Sequence, residues 1–314
     1  MIRETMRGSK LVCALLFFQW GQSIALYSQA EALNAVVEKD VVYGEIEGRD
    51  LLLDLYLPNE RERPTPVIFW IHGGAWRAGN KNSIGPARGA VDAGFAVASV
   101  GYRLSGEARF PAAIEDCKAA VRFVRSHASQ WQLDPERFGV WGSSAGGHLA
   151  ALVGVTSGSG AFEEELGVPH QASAVQAVCD WFGPTDFSLM DTHAIPGSRI
   201  IHDAPDSPES MFVRGPIQDS PYRERVRQAN PIAYVSADDP PFLIVHGDRD
   251  LLVAHPQSEI LHEALRKASV PSELILSKGA GHGLRGGEPD WRSLVDQSVA
   301  FFRRELTLET GETE

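Results

Sequence analysis

The stretch Phe138-Gly139-Val140-Trp141-Gly142-Ser143-Ser144-Ala145-Gly146-Gly147 decides the architecture. Phe138–Trp141 is an apolar run that reads as a buried strand. Gly142-Ser143-Ser144-Ala145-Gly146 follows at once and matches Gly-x-Ser-x-Gly, with Ser144 at its centre. Leu149, Ala150 and Leu152 then carry a helical pattern over 145–156. A strand turning sharply into a helix around a central serine is the context of a nucleophile elbow. The turn pushes the serine out at the carboxyl end of a sheet. Glycines flank it because a strained backbone and close helix packing leave no room for side chains. Ser143 is the neighbouring hydroxyl but stands one position off the elbow.

Outward from this turn, strands and helices alternate. Val41–Ile46, Leu51–Leu57, Val67–Ile71, Phe95–Val100, Val175–Cys179, Phe242–Val245 and Glu273–Leu276 read as the other strands. Helical patterns run over 82–93, 113–130, 257–268 and 290–305. This alternation predicts an α/β protein with a mostly parallel, eight-stranded sheet covered on both faces. Residues 187–235 break the rhythm. They are rich in Pro, Ser, Asp and Arg and far exceed a usual connection, so they are expected to form a lid or substrate cap.

A serine hydroxyl is a weak nucleophile until a base takes its proton. His282, in Gly281-His282-Gly283 after the last strand, is the candidate base. His202, His255 and His262 read as surface residues, and His148, one helical turn past Ser144, as a helix packing residue. The base needs a carboxylate to fix its tautomer and stabilise the imidazolium. His246-Gly247-Asp248-Arg249-Asp250 follows a strand, and either aspartate sits where that group belongs. Asp250 is preferred, with Asp248 and then Asp186 as alternatives; Asp186 also reads as a turn or N-cap residue. His72-Gly73-Gly74-Ala75-Trp76 follows Val67–Ile71. Acyl transfer places negative charge on the former carbonyl oxygen, and backbone N–H groups must already point at it. Gly74 and Ala75 are the expected donors from this loop, with Ala145 supplying the amide after the serine. His72 is expected to anchor the loop, and Trp76 to line a substrate pocket or pack in the core.

These residues resemble the α/β-hydrolase superfamily, and more narrowly its hormone-sensitive-lipase-like and feruloyl-esterase-like (BD-FAE-like) esterases. The resemblance covers about residues 40–305. Its carriers are the His72–Trp76 loop, Asp134-Pro135 with Arg137, Gly142–Gly147, Asp180–Asp186, His246–Asp250 and Gly281-His282-Gly283. The order Ser144, Asp250, His282 is the chain order of that fold. In such esterases the acid is the Asp before x-x-Val, which points to Asp250 ahead of Val253. Hormone-sensitive-lipase relatives carry a third Gly where this chain has Ala75. That departure shifts the resemblance toward feruloyl-esterase-like and formamidase-like branches and leaves the acyl group open. The resemblance implies a serine hydrolase of carboxylic esters acting through an acyl-enzyme. The rival readings are an amidase of the kynurenine-formamidase type and a non-catalytic binding protein on the same fold.

Composition removes other classes. The chain has 314 residues, with 29 Lys and Arg against 41 Asp and Glu, for a net charge of -12. Such a chain gains no general attraction to a phosphate backbone or an anionic membrane, so no nucleic-acid partner is expected. There is no Walker A motif, dinucleotide fingerprint, His-Glu-x-x-His or Cys-x-x-Cys pair, so no cofactor or metal is expected. A basic start (Arg3, Arg7, Lys10), the apolar run Leu11–Phe18 and small residues at Ala25 and Ala30 resemble a secretory signal peptide. That predicts a secreted or periplasmic enzyme without a stable membrane anchor, starting near residue 31. It would retain Cys117 and Cys179, expected as separate buried thiols. An uncleaved N-terminus would instead leave it cytoplasmic.

Overall fold

The strands are β1 (Ala35–Ile46), β2 (Arg49–Pro58), β3 (Thr65–Ile71), β4 (Ala96–Val100), β5 (Leu133–Ser143), β6 (Ala177–Trp181), β7 (Phe242–Gly247) and β8 (Ser272–Ser277). In this computed structural model they form one sheet in the order β1-β2-β4-β3-β5-β6-β7-β8. β1 pairs antiparallel with β2, and β2 with β4; every other pairing is parallel. The structure describes residues 33–163 and 165–306. The expected signal peptide over 1–30 and the acidic tail from 307 lie outside the described residues.

Every residue of β3, β4, β6 and β7 is buried. This explains their unbroken apolar runs, since a strand covered on both faces has no reason to alternate. The large rings still sort by strand period. Phe69 packs on Phe138 with centroids 5.2 Å apart. Their neighbours Trp70 and Trp141 meet at 6.1 Å, and Trp141 reaches Trp181 at 5.3 Å and Phe302 at 5.8 Å. Phe302 belongs to the C-terminal helix. β1 behaves as an edge: it exposes Val36 and Val42, and its pairing with β2 is broken by irregularities after Glu38 and Val42.

The helices are α1 (Arg88–Asp92), α2 (Ala112–Ser126), α3 (Ala128–Trp131), α4 (Ala145–Val155), α5 (Pro208–Val213), α6 (Arg223–Ala229), α7 (Pro256–Lys267) and α8 (Trp291–Leu306). The pattern over 113–130 is two helices rather than one. At the break, Ser126 Oγ donates to the Phe123 carbonyl, and the His127 ring nitrogen lies 2.9 Å from the same oxygen. Side chains competing for a helical carbonyl favour a turn there. The pattern over 82–93 shortens to a 3-10 turn at Gly85–Ala87 followed by α1, with Pro86 in the opening turn. β5 starts at Leu133, earlier than its apolar run. Arg137 clamps this polar lead-in, with Nε 2.8 Å from Asp134 Oδ2 and a terminal nitrogen 2.6 Å from the Pro64 carbonyl.

Residues 187–235 hold α5, α6 and three short 3-10 turns. Phe187, Phe212, Val213, Ile217, Val226 and Ala229 bury their side chains in the same core as the sheet. Cys117 and Cys179 are both buried and unbridged.

The register positions the site. Ile71 pairs with Gly142, Gly142 with Asp180, Asp180 with Ile244, and Ile244 with Leu274. The carboxyl ends of β3, β5, β6, β7 and β8 therefore finish side by side. The loops after them all emerge at one edge, where open α/β sheets bind their ligands.

Candidate active site

Ser144 stands between β5 and α4 with φ 55° and ψ −122°, a conformation few non-glycine residues adopt. Its surroundings hold it there. The Ser144 N–H donates to the Trp181 carbonyl at 2.8 Å, and the Ser144 carbonyl accepts from His148 N at 3.0 Å. Gly146 is required by close approach: a β-carbon there would lie 2.0 Å from the Ile71 carbonyl oxygen. The strained turn is thus pressed against the end of β3 and carries its hydroxyl to the edge of the sheet.

His282 Nε2 lies 3.1 Å from Ser144 Oγ, and His282 Nδ1 lies 2.7 Å from Asp250 Oδ2. The Phe182 ring meets the imidazole edge-on at 4.8 Å and limits its swing. Asp250 is fully buried, and its other oxygen accepts from Leu252 N at 2.8 Å and Val253 N at 3.0 Å. Burial works against this charge. The charges and hydrogen bonds of His282 and His246 outweigh it and hold the carboxyl well below the usual carboxylate range.

The two alternative acids point elsewhere. Asp248 Oδ1 accepts from Gly279 N at 2.6 Å and so ties down the loop that carries His282. Asp186 caps the turn at Phe187–Leu189 through Ser188 N and accepts from Asn230 Nδ2 at 2.7 Å.

The His72–Trp76 loop closes the other side of Ser144. A β-carbon on Gly73 would come within 3.3 Å of Ser144 Cβ. Gly74 has φ 120°, where an added β-carbon would strike the Ala78 carbonyl at 2.1 Å. Its own carbonyl turns back to accept from Arg77 N and Ala78 N. Ala145 opens α4, so its N–H has no acceptor in the helix. Among the described residues, the N–H groups of Gly74, Ala75 and Ala145 meet no acceptor. His72 anchors the loop: its Nδ1–H donates to the Gly73 carbonyl at 2.8 Å, its ring stacks on Tyr102, and its carbonyl accepts from the Tyr102 hydroxyl. Burial lowers its pKa to about 4, which keeps the ring neutral.

Trp76 is only 2% exposed. Its ring stacks on Phe212 at 4.7 Å and meets Phe187 and His148 edge-on. Of the two expectations for it, the structure places it in the core rather than on a pocket wall. Its indole N–H donates to His148 Nδ1 at 3.2 Å, and His148 Nε2–H donates to the Ala229 carbonyl at 2.7 Å. These bonds link the loop, the elbow helix and the 187–235 insertion.

One histidine differs from its sequence reading. His202 is not on the surface: it is 4% exposed, with Nδ1 3.0 Å from Glu209 Oε1. Burial lowers its pKa, but Glu209, with Asp191 and the Leu252 backbone adding, raises it on balance. A histidine whose pKa is raised by folding adds stability below its unfolded value of about 6.5 and loses it as pH climbs through the folded value. Thermal melts of the protein and His202→Gln should therefore differ most near pH 5.5 and converge toward pH 9. An equal gap at both pH values refutes the charged pair. His246, beside Asp250, is also fully buried.

Among the described residues, no group of three or more His, Cys, Asp or Glu side chains is placed to hold a metal ion, and no helix is long and apolar enough to cross a membrane.

Residues 53–265 match the BD-FAE family model. Esterase LipC of Mycobacterium tuberculosis is 33% identical over 253 residues, covering 79% of this chain and 60% of that protein. The probable carboxylic ester hydrolase LipM of the same organism is 31% identical, covering 73% and 52%. The chain thus spans half to three fifths of the length of these relatives. Among solved structures, a truncated form of a carbohydrate esterase from gut microbiota superposes with a TM-score of 0.77 at 35% identity, covering 89% of this chain and 99% of that one.

Proposed function

This chain belongs to the BD-FAE family of α/β-hydrolases, and on that premise we propose that it hydrolyses carboxylic esters through Ser144, His282 and Asp250. The observation that carries this reading is the continuous relay from Ser144 Oγ through His282 to the buried Asp250 carboxylate, at 3.1 and 2.7 Å. His282 Nε2 takes the proton as Ser144 Oγ attacks the ester carbonyl. Asp250 holds the Nδ1–H tautomer and stabilises the imidazolium that forms. Gly74, Ala75 and Ala145 offer unengaged N–H groups to the oxyanion, an arrangement in which a single donor is worth ~10²–10³ in kcat. His282 then protonates the leaving alkoxide. Water, deprotonated by the same imidazole, attacks the acyl-enzyme and releases the acid, with Ser144 regenerated.

The substrate is an ester whose acyl group sits on a carbohydrate. The likeness to the gut carbohydrate esterase supports this. Residues 187–235 act as the cap of the site, tied to the His72–Trp76 loop and the elbow helix through Trp76, His148 and Ala229. Residues 1–30 direct the enzyme to the periplasm or the exterior, where polysaccharide esters are met.

A substrate panel tests the reading: acetylated and feruloylated oligosaccharides, p-nitrophenyl esters of graded chain length and N-formylkynurenine. We expect the oligosaccharide esters to give the highest kcat/KM. A preference for N-formylkynurenine would move the assignment to a formamidase. No turnover at all, with no fluorophosphonate labelling of Ser144, would make the protein a binding module.

A further inference from the structure

The Asp250 carboxylate lies between two imidazoles, and only one of them belongs to the relay. His246, the penultimate residue of β7, is fully buried. Its Nε2 lies 2.8 Å from the Val253 carbonyl and 3.4 Å from Asp250 Oδ2, the oxygen that also faces His282. Its Nδ1 lies 2.7 Å from Ser258 Oγ on α7. A carbonyl only accepts, so Nε2 carries the hydrogen. In the neutral ring, the Ser258 hydroxyl then donates to Nδ1. Val253 closes a small ring of bonds: its N–H donates to Asp250 Oδ1 while its carbonyl takes the His246 hydrogen.

We propose that His246 is a positioning residue for the triad acid: its Nε2–H, donated to the Val253 carbonyl, pins the loop whose amides fix Asp250 Oδ1, and the same ring edge lies 3.4 Å from Asp250 Oδ2. The inference rests on the triad reading above. Oδ1 is fixed by the amides of Leu252 and Val253, and the His246–Val253 bond holds that loop against the rigid end of a central strand. Oδ2 takes the His282 Nδ1–H, and the positively polarised Nε2–H edge of His246, 3.4 Å away, offsets part of the carboxylate's charge. The charged and titratable groups facing His246 are Asp250, His282 across that carboxylate, and Asp180 on β6. Asp180 is fully buried, and burial pushes its carboxyl up to about 6.

Two variants separate positioning from bulk packing. His246→Leu removes the donor and keeps an apolar filler; His246→Gln keeps an N–H donor at this position. The Leu variant should lose ~10–100-fold in kcat, a magnitude borrowed from partners that orient metal ligands, with KM little changed. The acid limb of its kcat/KM profile should move to higher pH, because Asp250 now grips the His282 proton alone. The Gln variant should restore the wild-type limb. Rates are referred to the sites titrated by a fluorophosphonate, so unfolded protein does not count as lost kcat. A Leu variant with the wild-type limb and unaltered kcat per titrated site would overturn the proposal.

If the Leu variant does not fold, the ¹⁵N imidazole spectrum of the unmodified protein decides. An Nε2–H tautomer for His246 at pH 8 supports the role, and an Nδ1–H tautomer refutes it. Failure of the triad reading looks different: the unmodified protein would neither turn over esters nor label at Ser144.

Discussion

Ser144→Ala should abolish ester turnover, lowering kcat by ~10⁴-fold or more, while the protein folds as before. The first half follows from the chemistry. On the proposed mechanism the acyl group forms on Ser144, since Ser143 stands one position off the elbow and, among the described residues, the hydroxyl bonded to His282 Nε2 is that of Ser144. The second half follows from what the hydroxyl does structurally. Within the described residues, Ser144 Oγ is hydrogen-bonded to His282 alone, and a single side-chain bond contributes about 1 kcal/mol net. The bonds that hold the turn, from Ser144 N to Trp181 and from His148 N to the Ser144 carbonyl, are made by the backbone and survive the substitution. Alanine keeps the same β-carbon, so the strain at φ 55° is unchanged. Initial rates on p-nitrophenyl acetate, melting curves and mass-spectrometric detection of the fluorophosphonate adduct check the three parts together. A variant that keeps its activity removes Ser144 from the mechanism. One that melts far below the parent shows that the hydroxyl is structural as well.

What the sequence revealed and what it hid divide along one physical line. The elbow was legible because its signal is local: a strand, a tight glycine turn and a helix must be contiguous to exist at all. The parallel sheet was legible for the same reason, since Val67–Ile71 and Phe242–Val245 are apolar at every position and a half-exposed strand would alternate. The strand ends were less so, because Asp134 to Arg137 look like loop until Arg137 is seen bonded to Asp134 and Pro64. Histidines were the hardest to read. His202 sits in a polar local context, yet it is buried against Glu209. Burial of a polar ring is set by how the chain folds around it, and no periodicity records that. Trp76 shows the same limit: its stacking partner Phe212 lies in the insertion, whose placement the sequence does not determine.

The choice between Asp250 and Asp248 was a two-residue ambiguity, and it carries the second large prediction. Asp250→Asn should reduce kcat by ~10⁴-fold, while Asp248→Asn stays within the same order of magnitude as the parent. At position 250 the amide oxygen can still accept from Leu252 and Val253 N–H, which leaves the NH₂ where Oδ2 was. That NH₂ faces the Nδ1–H of His282, which had been donating to a carboxylate, and the Nε2–H edge of His246 lies close by. His282 relieves its clash by moving its hydrogen to Nε2, the nitrogen that faces Ser144 Oγ. A ring in that tautomer cannot accept the serine proton, and the imidazolium it would form has lost its counter-charge. At position 248 nothing comparable happens. Asp248 accepts one backbone N–H, from Gly279, and an asparagine oxygen accepts it equally well. The Gly-rich loop stays in place and His282 with it. The pair of variants is informative because the substitutions are chemically identical and two residues apart, so nonspecific damage would affect both. Equal losses in the two, or near-normal rates in Asp250→Asn, would return the acid to an open question and take the relay with it.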